Sequence, residues 1–180
     1  AMGVLLDRSK VWRTFSADRV VVCEEGKLAT QTAEGYQESL THTGEELTEG
    51  RHYWEVEIVN GGIFGVCRPD ADPRAFHGYR ESTTAWLMWA GDGALYGNGK
   101  QGSDYAGGFN HGDRMGILLD LDNGSLRFFK NGVQHGPGYP AGSVTGPVAL
   151  GAQMFFDFEA EAVRLLPGAA CLAWPAGHVQ

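Results

Sequence analysis

The chain has 180 residues, of which 43% are hydrophobic and 20% charged, and it carries a net charge of −8. That length suits one domain able to bury about 70% of its unfolded surface without staples, and the composition excludes intrinsic disorder. The acidic balance, with no Lys/Arg cluster to reverse it locally, argues against binding nucleic acid or an anionic membrane.

No apolar run approaches the roughly 18 residues of a membrane-spanning helix. Glycine is the compositional outlier: 27 residues is about twice the usual share of roughly 7% and points to many tight turns between short strands. Residues 1–3 (Ala-Met-Gly) read as a cloning remnant, so native context upstream is expected to be missing.

In chain order, period-two alternation and turn residues predict strands over 20–23, 39–43, 51–59, 63–67, 85–89 and 94–96. Others follow over 114–122, 126–130, 133–135, 148–156 and 162–166. In 51–59 the alternation sends Trp54, Val56 and Ile58 to one face and Tyr53, Glu55 and Glu57 to the other. The run Trp86-Leu87-Met88-Trp89 is apolar on both faces, as expected of a central strand covered from both sides. Asn123-Gly124 and Asn131-Gly132 supply turn residues that make 114–135 a meander. Helical periodicity is nearly absent; the Gly/Pro-free stretch 36–43 is polar and Thr-rich. The predicted fold is therefore all-β, a single-domain β-sandwich of two antiparallel sheets.

Several motifs are better explained by structure than by chemistry. Gly97-Asn98-Gly99-Lys100-Gln101-Gly102 matches a dinucleotide fingerprint, but residues 103–108 cannot open the helix that would hold a pyrophosphate, so 97–102 is expected to be a flexible loop. Asp120-Leu121-Asp122-Asn123-Gly124 has its glycine fifth, and position twelve is Asn131, which departs from a calcium loop and fits a hairpin. The six histidines show no metal-ligand spacing, and there is no Gly-x-Ser-x-Gly elbow. Three cysteines without Cys-x-x-Cys spacing suggest reduced, mostly buried thiols in the cytoplasm or nucleus. No catalytic residue, metal or cofactor is implied. Glu55 and Glu57 would stand roughly 6–7 Å apart on one strand face, within the range of about 5–10 Å that paired glycosidase carboxylates use. A carbohydrate-binding or glycoside-hydrolysing sandwich is the alternative reading.

The ordered motif set resembles SPRY domains. Gly50-Arg51-His52-Tyr53-Trp54-Glu55-Val56 followed by Gly65-Val66-Cys67-Arg68 resembles their central motif, and Trp86, Trp89 and Gly91-Asp92-Gly93 their next strand and turn. The run from Gly112 to Asp120 with Leu126-Arg127-Phe128-Phe129-Lys130-Asn131-Gly132 resembles the family's most diagnostic stretch. Leu6-Asp7 and the segment from Pro147-Val148 to Leu166 fit the first and last strands, so the resemblance covers residues 4–167 and leaves 168–180 as a C-terminal extension. With some 20 residues before the strand at Val20, the stand-alone form is expected rather than the form with an added N-terminal PRY segment.

The resemblance implies a bent two-sheet sandwich without catalytic activity that binds segments of partner proteins through loops at one end. The longest loops are 69–83, with Arg74, Phe76, His77, Tyr79 and Arg80, and 98–111. If Val148, Leu150 and Ala152 face the core, then Met154, Phe156 and Phe158 do too, and Phe155 points out. In the peptide-binding SPRY domains of SOCS-box proteins, that strand end lines the pocket with the Tyr of a Gly-Tyr pair like Gly78-Tyr79. Those proteins also use an early-loop Arg where this chain has Gln31 and Thr32, so the resemblance implies the place of a site and not their acidic, Asn-rich ligand. The expected partner-binding set is Gln31, Thr32, Phe76, Tyr79, Arg80 and Phe155. The expected partner is a protein or peptide segment, bound by a monomeric adaptor module; packing against other domains of the same protein is a further alternative.

Overall fold

A computed structural model describes residues 11–13, 15–16, 18–32, 36–155 and 160–166. The expectations for residues 1–3, Leu6-Asp7, Phe156, Phe158 and 168–180 lie outside the described residues.

Two antiparallel sheets form a sandwich. One has seven strands in the order β1 (Val20–Cys23), β2 (Leu28–Gln31), β13 (Ala162–Leu166), β4 (Arg51–Asn60), β9 (Arg114–Asp120), β10 (Ser125–Lys130) and β11 (Val133–Gln134). The other has six, in the order β3 (Ser39–His42), β12 (Ala149–Met154), β5 (Ile63–Cys67), β6 (Ala85–Trp89), β7 (Leu95–Gly97) and β8 (Lys100–Ser103). Side chains that alternate inward from both sheets meet in one core: Trp54, Val56, Ile58, Ile117 and Phe128 against Phe64, Val66, Trp86, Met88, Leu150 and Met154. The predicted parity of β4, of β12 through Met154 and of the β9–β10–β11 meander is the observed one.

Two strands were not foreseen. β2 is short and ends in Thr30-Gln31, too polar to register as alternation. β8 corrects the expectation of a flexible loop over 97–102: Asn98 and Gly99, at φ 49° and 91°, join β7 and β8 in a two-residue hairpin. Both central residues of such a turn need positive φ, the same device that Asn131-Gly132 uses at 50° and 85°.

A second cluster lies on the outer face of the six-stranded sheet. Leu40, Ile63, Cys67, Ala85 and Leu87, the residues alternating with the inward set, are buried there with Ala71, and Phe76, Trp89, Tyr96 and Phe155 pack against them. Two-faced burial of β6 follows from this cover, as its apolar run predicts. The cover includes the long connection 68–84, which supplies Ala71 and Phe76. Connections beyond about 12–15 residues are uncommon in compact domains unless they serve a function.

One buried side chain docks that connection onto the sheet. Gln153 shares the outward parity of Phe155 and lies between Leu40 and Ile63 in register. Its Oε1 accepts from the His77 backbone N–H at 3.2 Å. Its Nε2 faces the carbonyls of Ser39 at 3.2 Å and Ala75 at 3.3 Å, and Glu38 Oε2 at 3.3 Å.

Two stability outcomes follow. Trp54 is 2% exposed in the main core, and Trp54→Ala is expected to destabilise by about 3–5 kcal/mol through the cavity left behind, read from chemical denaturation. Gln153→Leu keeps the bulk but strands the His77 N–H and two carbonyls, for an expected loss of about 1–3 kcal/mol. Hydrogen exchange of 68–84 should then accelerate well before that of β5 and β12; uniform acceleration would mean that Gln153 does not dock the loop.

Candidate functional site

At one end of the sandwich β2 and β12 finish while β3 and β13 begin. Glu161 ties the two sheets together there: its carboxylate accepts from the Phe155 N–H at 2.7 Å and its carbonyl from the Gln31 N–H at 2.8 Å. Four rings from three separate connections gather at this end. Tyr36 meets Phe155 edge-on at 5.6 Å, Phe155 meets Phe76 at 6.0 Å, and Phe76 meets Tyr79 at 4.9 Å with planes 87° apart. Edge-to-face contacts of this kind suit the ring quadrupoles. Phe76 and Phe155 are half-buried on the second core, whereas Tyr36 and Tyr79 are 64% and 53% exposed.

The loop that carries Phe76 and Tyr79 is held by His77. Its Nε2 lies 2.6 Å from the Asp72 carbonyl, which can only accept, so Nε2 bears a proton, and Nδ1 shares a hydrogen bond with Thr84 Oγ1 at 2.6 Å. The Ser82 and Thr84 hydroxyls are hydrogen-bonded at 2.8 Å. The β7–β8 hairpin braces the same loop from its other flank, where Asn98 N–H donates to the Ser82 carbonyl at 2.9 Å and Gly99 N–H to that of Arg80 at 2.8 Å. Gly78 must lack a side chain because a Cβ there would come within 2.4 Å of the Phe76 ring.

Of the expected site residues, Phe76, Tyr79 and Phe155 are brought together, and Phe155 points outward as parity requires. Arg80 follows Tyr79 and is exposed; Thr32 is exposed where the chain leaves β2, its N–H donating to the Arg19 carbonyl at 2.8 Å. Gln31 departs from the expectation of a contact residue: it is 1% exposed, and its Nε2 donates to the Gln37 carbonyl at 2.8 Å. It faces inward because β2 extends through it, which moves the loop's start to Thr32. Sequence reasoning missed Tyr36 and Glu38. Their only signal was an aromatic and an acid just ahead of a strand.

Glu38 accepts from the Tyr36 hydroxyl at 2.7 Å. Burial raises the Glu38 carboxyl above its ordinary range, and Glu161 raises it further, against the Tyr36 hydrogen bond and Arg19, which lower it. The Tyr36 hydroxyl is pushed up to about 12, first by its bond to Glu38, then by burial, with Glu38, Tyr79 and Glu161 adding to it. The end is thus aromatic at its surface and negative beneath.

The competing chemistry is absorbed by structure. Glu55 accepts from the Tyr53 hydroxyl at 2.9 Å and pairs with Arg114 at 3.5 Å. Glu57 pairs at 2.6 Å with Arg164, which also holds Glu24 at 2.8 Å. Both carboxylates are thus engaged in ion pairs with neighbouring arginines. Asp120 caps its own turn through the N–H of Asp122 at 3.0 Å and pairs with Arg51 at 3.1 Å, as a hairpin requires. Burial pushes the Cys67 thiol up to about 12, which leaves it without nucleophilic character at neutral pH. Among the described residues no group of three His, Cys, Asp or Glu side chains could hold a metal, and no helix is long and apolar enough to cross a membrane.

Comparison with known proteins supports the frame. The chain is 28% identical over 144 residues to the E3 ubiquitin-protein ligase TRIM9 of Drosophila melanogaster, covering 68% of this chain and 18% of that protein. It is 28% identical over 134 residues to human SPRY domain-containing protein 3, covering 66% of this chain and 30% of that one. The chain therefore spans less than a third of either relative. Among solved structures, the SPRY domain of human HERC1 superposes with a TM-score of 0.69 at 23% identity, covering 84% of this chain and 94% of that one. A further human SPRY domain gives 0.70 at 19%, covering 88% and 98%. The family model for the SPRY domain matches residues 51–167, so with that match and this two-sheet architecture the chain belongs to the SPRY domain family, whose members generally serve as protein–protein interaction modules.

Proposed function

We propose that this domain is a non-catalytic module that holds an extended segment of a partner protein across the ring cluster at the end of the sandwich. The observation that carries the reading is the cluster itself. Phe76 and Phe155 are anchored on the second core, while Tyr36 and Tyr79 are more than half exposed. A large exposed ring held on a rigid frame offers contact area at little entropic cost, which is how interface hot spots are built. Arg80 and Thr32 border the rings on separate loops and would contact the flanks of the segment.

The test begins with a pull-down by the 180-residue chain and mass spectrometry, followed by calorimetry with the recovered partner. Tyr79→Ala is expected to weaken binding by about 2–4 kcal/mol, roughly 30- to 1000-fold, with an unchanged melting temperature. Unchanged affinity would overturn the site.

Phe155→Ala should behave differently, because Phe155 also packs on the second core. It is expected to lose affinity and about 1–3 kcal/mol of stability together, read by the same calorimetry and by thermal melts. Loss of stability alone would assign Phe155 to the core and not to the binding surface.

A further inference from the structure

A carboxylate lies at the ring cluster. Glu38 lies half-buried, with Tyr36 on Oε1 at 2.7 Å and Gln153 Nε2 on Oε2 at 3.3 Å. Among the described residues no Lys or Arg side chain forms an ion pair with it. Arg19, the cation that influences it, gives its Nη1 to the Glu38 carbonyl at 2.6 Å and to the Arg74 carbonyl at 3.4 Å instead. Arg74 in turn is paired with Asp18 at 2.6 Å. Gln31, buried at 1% exposure, is bonded through its amide to the carbonyl of Gln37, the residue before Glu38. Tyr36 and Tyr79 are the exposed rings of the same cluster, and Tyr79 acts electrostatically on the Tyr36 hydroxyl.

We propose that the segment bound at this site presents a lysine or arginine side chain, which lodges between Tyr36 and Tyr79 with its charge on Glu38. The inference rests on the partner-segment reading above and names the chemistry that such a segment must carry. Three physical arguments lead to it. A half-buried carboxylate held by neutral donors retains part of its desolvation penalty, which an incoming cation offsets more fully than a further amide or hydroxyl. Ring faces attract cations by about 0.5–2 kcal/mol, more as the pair is desolvated. The net charge of −8 favours the approach of a basic segment and disfavours an acidic one.

A random dodecapeptide phage library selected on the full chain supplies the probes, followed by calorimetry with synthetic peptides. The expected result is that peptides whose binding requires Tyr79 share a Lys or Arg. Replacing that residue by norleucine or citrulline, which keep the length and remove the charge, should weaken binding roughly tenfold or more. The same replacement should have less than about a threefold effect on the Glu38→Gln protein, since the coupling is then absent. The peptide substitutions need no protein variant, so the result stands even if Glu38→Gln misfolds. Peptides that need Tyr79 but tolerate norleucine and citrulline would overturn the cation and leave the partner-segment reading in place. A selection that yields no Tyr79-dependent peptide would overturn both.

Discussion

The amide of Gln153 is the constraint on which the ring-cluster end of the sandwich depends. It lies in β12 on the outer face of the six-stranded sheet, where its neighbours across the register are Leu40 and Ile63. A polar group in that apolar setting is tolerated because both ends are matched, Oε1 to one N–H and Nε2 to three acceptors. Satisfied in this way it stabilises modestly; with a partner removed it strands several groups, and that asymmetry makes it specific. It also pins register. A one-residue slip of β12 would bring Ala152 to the outer face and drive Gln153 into the main core.

Once Gln153 fixes Ala75 and His77, the remainder of the loop has little freedom. Its ring nitrogens fully matched, His77 joins Asp72 to Thr84 across the base of the loop. Phe76 then falls on the second core, and the missing side chain of Gly78 leaves room for its ring. Tyr79 projects beyond this anchored base, supported edge-on by Phe76. The ordering entropy of a long loop is thus offset during folding and need not be supplied when a partner binds, which is the advantage of preorganisation. Two-faced burial and the proposed site are linked, because the cover that β6 needs on its outer face is the element that carries Phe76 and Tyr79.

The frame was legible because its signals are local. Alternation in β4 and β9, the two-faced run in β6, and Asn-Gly at 131–132 each follow from a few adjacent residues. Outward parity gave the direction of Phe155, whose ring meets Phe76 beside Tyr79. The missing pieces are non-local or polar. β8 reads Lys-Gln-Gly-Ser and becomes a strand because the Asn98-Gly99 turn folds it back on β7, although Asn-Gly was read as a turn elsewhere in the chain. Gln31 looked like a loop residue since nothing local shows that β2 continues through it. Tyr36 and Glu38 acquire meaning only from Phe155 and Gln153, more than a hundred positions away.

The same division between frame and loops separates what must stay from what can vary in a fold shared at about 20% identity. The backbone of β3, β12 and β5 is fixed by ladder hydrogen bonds, and their facing side chains by two cores. The rings come from the 32–38 connection, from 68–84 and from the end of β12, each of which can change side chains without disturbing a ladder. Within those segments freedom is unequal. His77 and Gly78 are bound to the internal geometry of the loop, whereas Tyr36, Tyr79 and Arg80 project into solvent and are constrained chiefly by what they meet there. Glu38 is intermediate: it touches the docking amide through one oxygen and the exposed ring of Tyr36 through the other. A change at Glu38 therefore reaches both the docking amide and the exposed ring of Tyr36, which makes this carboxylate the point where the stability of the loop and the charge of the proposed site are coupled.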